Sequence, residues 1–269
     1  MKKIVLVMLL CSLFSVTGCT GIVPKGQQEV KAMENKVELT QEKKDFLAEL
    51  SMDEERVQKG ELYDWQVEVL RQYDYAMEYL KKKYPSYTFK FTSCNPKGKN
   101  NQFSVFWFVP ADAGESSYEL YLYVDESGNY SCEDNYYGEL LKSDYNDVLL
   151  LFLKKSIPEC IGVSSEFPSV QGEKFGEQLT GEEVLEGTDK LSNITYIYAV
   201  QSDTSKVQIL AEKIEDLIKN EKIYGTYYIE ILNSSSNFNN AYSGDDLKVY
   251  VQESGNQTVV LEQKFNQFD

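Results

Sequence analysis

Apolar residues change period along this chain, and the changes mark out its elements. From Asp64, a suitable N-cap, Trp65, Val69, Tyr73, Met77, Leu80 and Tyr84 recur every three or four residues, which predicts a helix ended by Pro85. A shorter helix with Phe46, Leu47 and Leu50 as its stripe is expected from Thr40 to Leu50, and 51–60 breaks that pattern. After Pro85 the period falls to two. Tyr87, Phe89 and Phe91 alternate with Thr88, Lys90 and Thr92, and 102–109 is aromatic on both faces. In 118–124, Leu120, Leu122 and Val124 alternate with Glu119, Tyr121 and Tyr123. Ser127-Gly128-Asn129 supplies a hairpin turn, and Tyr130–Cys132 starts the return strand. A second helix is expected from Ser143. Its centre, Val148–Leu153, is apolar all round, which implies deep burial.

The stretch 158–193, with five glycines and two prolines, reads as a loop-rich linker in which Thr180 and Glu183 form a capping box over one turn. A strand at 194–200 follows. Asp203 or Thr204 then caps a helix with the stripe Val207, Leu210, Ala211, Ile214, Leu217 and Ile218. Strands are expected at 226–232, 247–252 and 258–265, the first two joined by a Ser/Asn-rich loop over 233–246. The expected class is α+β: two units, each of helices packed on an antiparallel meander sheet, an N-terminal domain at 39–157 and a C-terminal domain at 194–269.

The first residues carry a different signal. Lys2 and Lys3 precede an apolar run from Ile4 to Phe14, shorter than the roughly 18 residues a spanning helix needs. Small and polar residues then lead to Val16-Thr17-Gly18-Cys19, which resembles the lipobox of bacterial lipoprotein precursors. The resemblance covers about the first 19 residues. It implies a signal peptide at 1–18, a diacylglyceryl group on Cys19, and a chain anchored to the cell membrane on its extracytoplasmic side. Two acyl chains give stable anchoring where one gives only marginal binding. Residues 19–38, polar and aperiodic with Pro24 and Gly26, read as a flexible tether.

Charge and composition narrow the chemistry. The chain carries 43 acidic against 27 basic residues, a net charge of −16, and loss of the signal's two lysines makes it more acidic. Such a surface disfavours nucleic acid and electrostatic docking on anionic lipid. Histidine is absent, which excludes Ser-His-Asp and Cys-His nucleophile pairs and histidine zinc sites. Beyond Cys11 in the signal and Cys19, the remaining cysteines are Cys94, Cys132 and Cys160. One bridge, Cys94–Cys132 within the first sheet, is possible; buried thiols are the alternative. No Cys-x-x-Cys spacing and no calcium-loop pattern occurs, so neither metal nor cofactor is expected.

Acids cluster at Asp125, Glu126, Glu133 and Asp134, and again at Asp245 and Asp246. Paired carboxylates run glycoside hydrolysis when about 5–10 Å apart, yet solvated turn acids are the simpler reading. No catalytic residue is assigned. Tyrosine is the more informative distribution. Tyr121 and Tyr123 oppose Leu120 and Leu122, Tyr228 opposes Tyr227, Ile229 and Ile231, and Tyr250 shares a face with Lys248 on the expected strand. An outward tyrosine face offers large rings with a polar handle, the chemistry of a recognition surface, unless other elements cover it. The sequence thus supports a non-catalytic binding or interaction lipoprotein, its partner an envelope protein or wall glycan. Alternatives are a surface glycan hydrolase and a purely structural envelope protein.

Overall fold

A computed structural model of the chain describes residues 39–98, 102–111, 116–188, 190–233, 244–254 and 259–268. The expected signal peptide, the lipobox with Cys19, the tether and most of the loop at 233–246 lie outside them. Helices α1 (Gln41–Leu50), α2 (Glu54–Lys59) and α3 (Asp64–Lys83) come first. Thr40 caps α1 by accepting from the Lys43 amide, and Gly60 ends α2 in the left-handed region at φ 78°. Tyr63, rather than Asp64, is the N-cap of α3, its amide donating to Gln66 Oε1 at 2.8 Å. Val69, Tyr73 and Leu80 are buried as the periodicity implies, but Trp65 is 45% exposed.

Strands β1 (Phe89–Asn95), β2 (Phe103–Pro110), β3 (Tyr118–Val124) and β4 (Tyr130–Asp134) form an antiparallel sheet in sequence order. Its inner face packs on α1 and α3 through aromatic rings. Phe46, Tyr73, Phe91 and Phe106 make one group, and Tyr84, Phe89, Phe108 and Tyr136 another. Asp125 shapes the β3–β4 hairpin, its carboxylate accepting from the Ser127 and Asn129 amides, with Gly128 at φ 83°.

Helix α4 (Tyr136–Ser156) begins seven residues before the expected Ser143. Its stripe of Leu141, Tyr145, Leu149 and Leu153 is buried, whereas Leu151 is 64% exposed, so the apolar centre is not buried all round. The helix packs on β5 and α5, and Leu151 points away from both.

The region expected as a linker contains strand β5 (Cys160–Glu166) and helix α5 (Gly181–Leu185). The Thr180–Glu183 capping box of α5 is present. β5 opens a second sheet with β6 (Ile194–Val200), β7 (Gly225–Leu232) and β8 (Val259–Gln267), in the order β5-β6-β7-β8. Helix α6 (Val207–Asn220) connects β6 to β7, which run parallel, while the outer two pairs are antiparallel. The second sheet is therefore not a simple meander, because a parallel pair needs a crossover and α6 supplies it. The expected strand at 247–252 is instead helix α7 (Gly244–Ser254). Asp245 and Asp246 favour its N-terminus, and Leu247 packs with Tyr198 and Leu232.

The protein is α+β, with helices packed on two four-stranded sheets. Phe167 touches both Tyr137 and Tyr145 of α4, and the Tyr145 hydroxyl lies 3.4 Å from that of Tyr227 on β7. Through α4 one continuous core runs from the first sheet to the second, and 37–269 form one compact unit.

Candidate functional site

Strand alternation sends Phe103, Val105, Trp107 and Val109 of β2 and Glu119, Tyr121 and Tyr123 of β3 to the side of the first sheet away from α1 and α3. All of these side chains are half-buried. The Phe103 ring lies 5.1 Å from Tyr121 and 5.5 Å from Tyr123, so the rings form a contiguous platform. Carboxylates fix its polar edges. Glu119 accepts from Trp107 Nε1 at 3.2 Å and from the Tyr121 hydroxyl at 2.9 Å, and Glu133 accepts from Tyr123 at 3.3 Å. The Glu119 hydrogen bond holds the Tyr121 hydroxyl above its ordinary pKa, and burial does the same for Tyr123. No Lys or Arg stands on β2, β3 or β4, and Lys90 of β1, opposite Val109, supplies the one basic side chain of the sheet's strands on this side. The face can stack flat groups and accept hydrogen bonds.

The four tyrosines singled out by sequence do not share one surface. Tyr121 and Tyr123 stand together. Tyr228 belongs to the second sheet, stacked 4.8 Å from Tyr196 with the Lys264 ammonium 4.9 Å from its ring centroid. Tyr250 is on α7, where residues two apart point to different sides, so it shares no strand face with Lys248. Phe103 and Trp107 complete the first platform. Sequence did not single them out, because β2 is aromatic on both faces and alternation alone does not say which side is covered.

The acids named from sequence do not converge either. Asp125 and Glu126 are exposed in the hairpin, and Asp245 accepts from Ser164 at 2.5 Å and lies 3.7 Å from Lys142. Asp134, expected as a solvated turn acid, is sealed from water. It pairs with Lys83 at 2.6 Å and accepts from Tyr79, from Tyr84 and from the Tyr136 amide. Burial pulls the Lys83 ammonium below its ordinary pKa, with Asp134 acting in the opposite direction. The network ties α3 and β4 to Gln171, whose carbonyl accepts from Lys83. It has no open side for a substrate and is a structural staple.

Cys94 and Cys132 are free and buried, as is Cys160. The Cys94–Cys132 bridge considered from sequence does not form, since β1 and β4 are opposite edges of the sheet, three strand spacings of about 4.8 Å apart. Among the described residues no group of three or more metal-ligating side chains converges, and no helix is long and apolar enough to cross a membrane. A cleft of about 390 Å³ between α4, β5 and the start of α7 is lined by Lys142, Asn146, Asp147, Gly162 and Asp245.

No protein-family model and no curated protein matches the chain. Among solved structures, the crystal structure of a DUF5037 family protein from Ruminococcus gnavus ATCC 29149 is similar over 60% of this chain and 74% of its own, at 13% identity and a TM-score of 0.29. That likeness is too loose to carry an argument about fold or function.

Proposed function

We propose that this protein is a lipid-anchored, extracytoplasmic binding module that recognises an envelope partner through the outer face of its first sheet. The observation that carries this reading is the contiguous platform of Phe103, Tyr121 and Tyr123, with Trp107 joined to it through Glu119, on the side of the sheet turned away from its helices. Buried aromatic anchors contribute most to recognition interfaces, and rings already held by Glu119 and Glu133 lose little rotamer freedom on binding. The anchoring part rests on the charged and apolar start of the chain and on Val16-Thr17-Gly18-Cys19.

Both parts are testable with the full-length chain. Cys19→Ala is expected to move the protein out of the membrane fraction or leave it unprocessed; normal cleavage with membrane retention removes the anchoring reading. Trp107→Ser combined with Tyr121→Ser is expected to keep the wild-type circular dichroism spectrum and lose capture of the envelope partner recovered by the wild type. Undiminished capture by that folded variant removes the binding face.

A further inference from the structure

The face of the second sheet on which α7 packs holds two acids in an unusual setting. Glu230 of β7 is directly opposite Glu262 of β8, and opposed cross-strand residues have Cβ atoms about 4.5–5.5 Å apart. Glu262 is exposed, but Glu230 is only 8% exposed, and its Oε2 atom is buried without a hydrogen-bond partner. The groups facing the pair are Tyr196 and Tyr198 of β6, Tyr228 of β7, Lys264 of β8, Lys248 and Asp245 of α7 and, two residue rows away, Glu166 of β5.

The two lysines do not neutralise the pair. Lys248 is ion-paired to Glu166, and its ammonium lies 4.7 Å from the Tyr196 ring centroid. Lys264 lies 4.9 Å from the Tyr228 centroid. Among the described residues neither Glu230 nor Glu262 has an ion-pair partner. Two adjacent carboxylates, one of them largely out of water, repel each other unless a cation joins them. A hard metal ion would ask for more oxygen ligands, and no cluster of three or more metal-ligating side chains exists here among the described residues. An ammonium group suits the setting better. It offers three donors to carboxylate oxygens, enough to bridge the two acids.

We propose that Glu230 and Glu262 bind the primary ammonium group of a small organic cation, held beside the stacked Tyr196 and Tyr228 rings. The site is separate from the aromatic face of the first sheet. Burial first, and Glu262 second, push the Glu230 carboxyl up to about 7, with Lys248 acting against them. Binding of an ammonium therefore competes with a proton and strengthens as the pH rises.

Calorimetric titration of the full chain with putrescine, in buffer of matched sodium concentration, tests the site. Saturable binding is expected at about pH 8, weaker by about tenfold at about pH 5.5. Glu230→Gln, an amide of the same shape, is expected to weaken it by about tenfold or more at the higher pH. Exposed Glu262→Gln carries the same expectation and keeps the test open should the buried variant fail to fold. Putrescine heat that is no greater than that of sodium, or that persists in a folded glutamine variant, overturns the proposal.

Discussion

Lys83 and Asp134 are 51 positions apart in the chain, yet their side chains meet at 2.6 Å with exposures of 1% and 0%. Two tyrosine hydroxyls and a backbone amide complete the carboxylate's hydrogen bonds, and the Gln171 carbonyl takes another ammonium proton. Asp134 and Gln171 also exchange backbone hydrogen bonds, which holds the chain after β5 against β4. The staple joins residues that the sequence places in three separate regions.

Removing the lysine leaves Asp134 buried and unpaired. Lys83→Met is expected to cost about 3–5 kcal/mol in urea unfolding, the range for a broken buried pair. The preceding residue is the control. Lys82 is exposed and paired with Glu173 at the surface, so Lys82→Met is expected to leave the urea midpoint nearly unchanged. Equal midpoints for the two variants would show that Lys83 is not the staple.

Helix α5 sets a second test. An added Cβ on Gly181 would lie 2.5 Å from both the nitrogen and the Cα of Tyr145 on α4, and the Gly181 amide donates to Asp144 at 2.5 Å. Backbone on one side cannot yield to a methyl group as a flexible side chain would. Gly181→Ala is expected to lose about 1–3 kcal/mol as α5 lifts from α4. Gly98→Ala, with nothing within 4 Å of the new Cβ, is expected to be nearly neutral by the same thermal melt.

What was legible in the sequence follows from which signals are local. The stripe of α6, the hairpin at Asp125–Asn129 and the Thr180–Glu183 box each depend on residues a few positions apart, and all are present. The glycines and prolines over 158–193 and its few large apolar residues hide β5 from a local reading. Gly162 and Ser164 face α7, where Leu247 fills the space a Cβ on Gly162 would need and Asp245 accepts from Ser164, while Ser165 turns the other way to Thr195. The same long-range contact decides α7. Leu247, Val249 and Val251 alternate like a strand, but Leu247 and Val251 are also one helical turn apart, and both face Tyr198 and Leu232. For the sites, alternation placed Tyr121 and Tyr123 and put Tyr228 on the same face as Glu230. The Glu230–Glu262 pair depends on the register of β7 and β8, which no local pattern reveals.

The three buried thiols give a chemical prediction. Burial pushes Cys94, Cys132 and Cys160 each up to about 12, so almost no thiolate exists near neutrality. With Ellman's reagent at about pH 8 the folded chain is expected to show none of the three reacting, and all three in urea. Rapid labelling of any one in the native state would mean that its strand is open to solvent.

Glu230 makes stability depend on pH in a direction opposite to that of most carboxylates. Its folded-state carboxyl titrates near 7, against an ordinary 4.5, so between those values the folded chain holds a proton that the unfolded chain has released. The stabilisation from that proton is fully present below about 4.5 and is lost as the pH rises through about 7. Glu230→Gln carries no charge at any pH. In urea titrations without added amines the variant is expected to match the wild type at about pH 5 and to exceed it at about pH 8, by on the order of 2 kcal/mol. The gap is expected to shrink in Glu262→Gln, because the opposing carboxylate is the second cause of the raised value. A wild type that gains stability relative to Glu230→Gln between those pH values would mean that Glu230 is solvated or paired in solution.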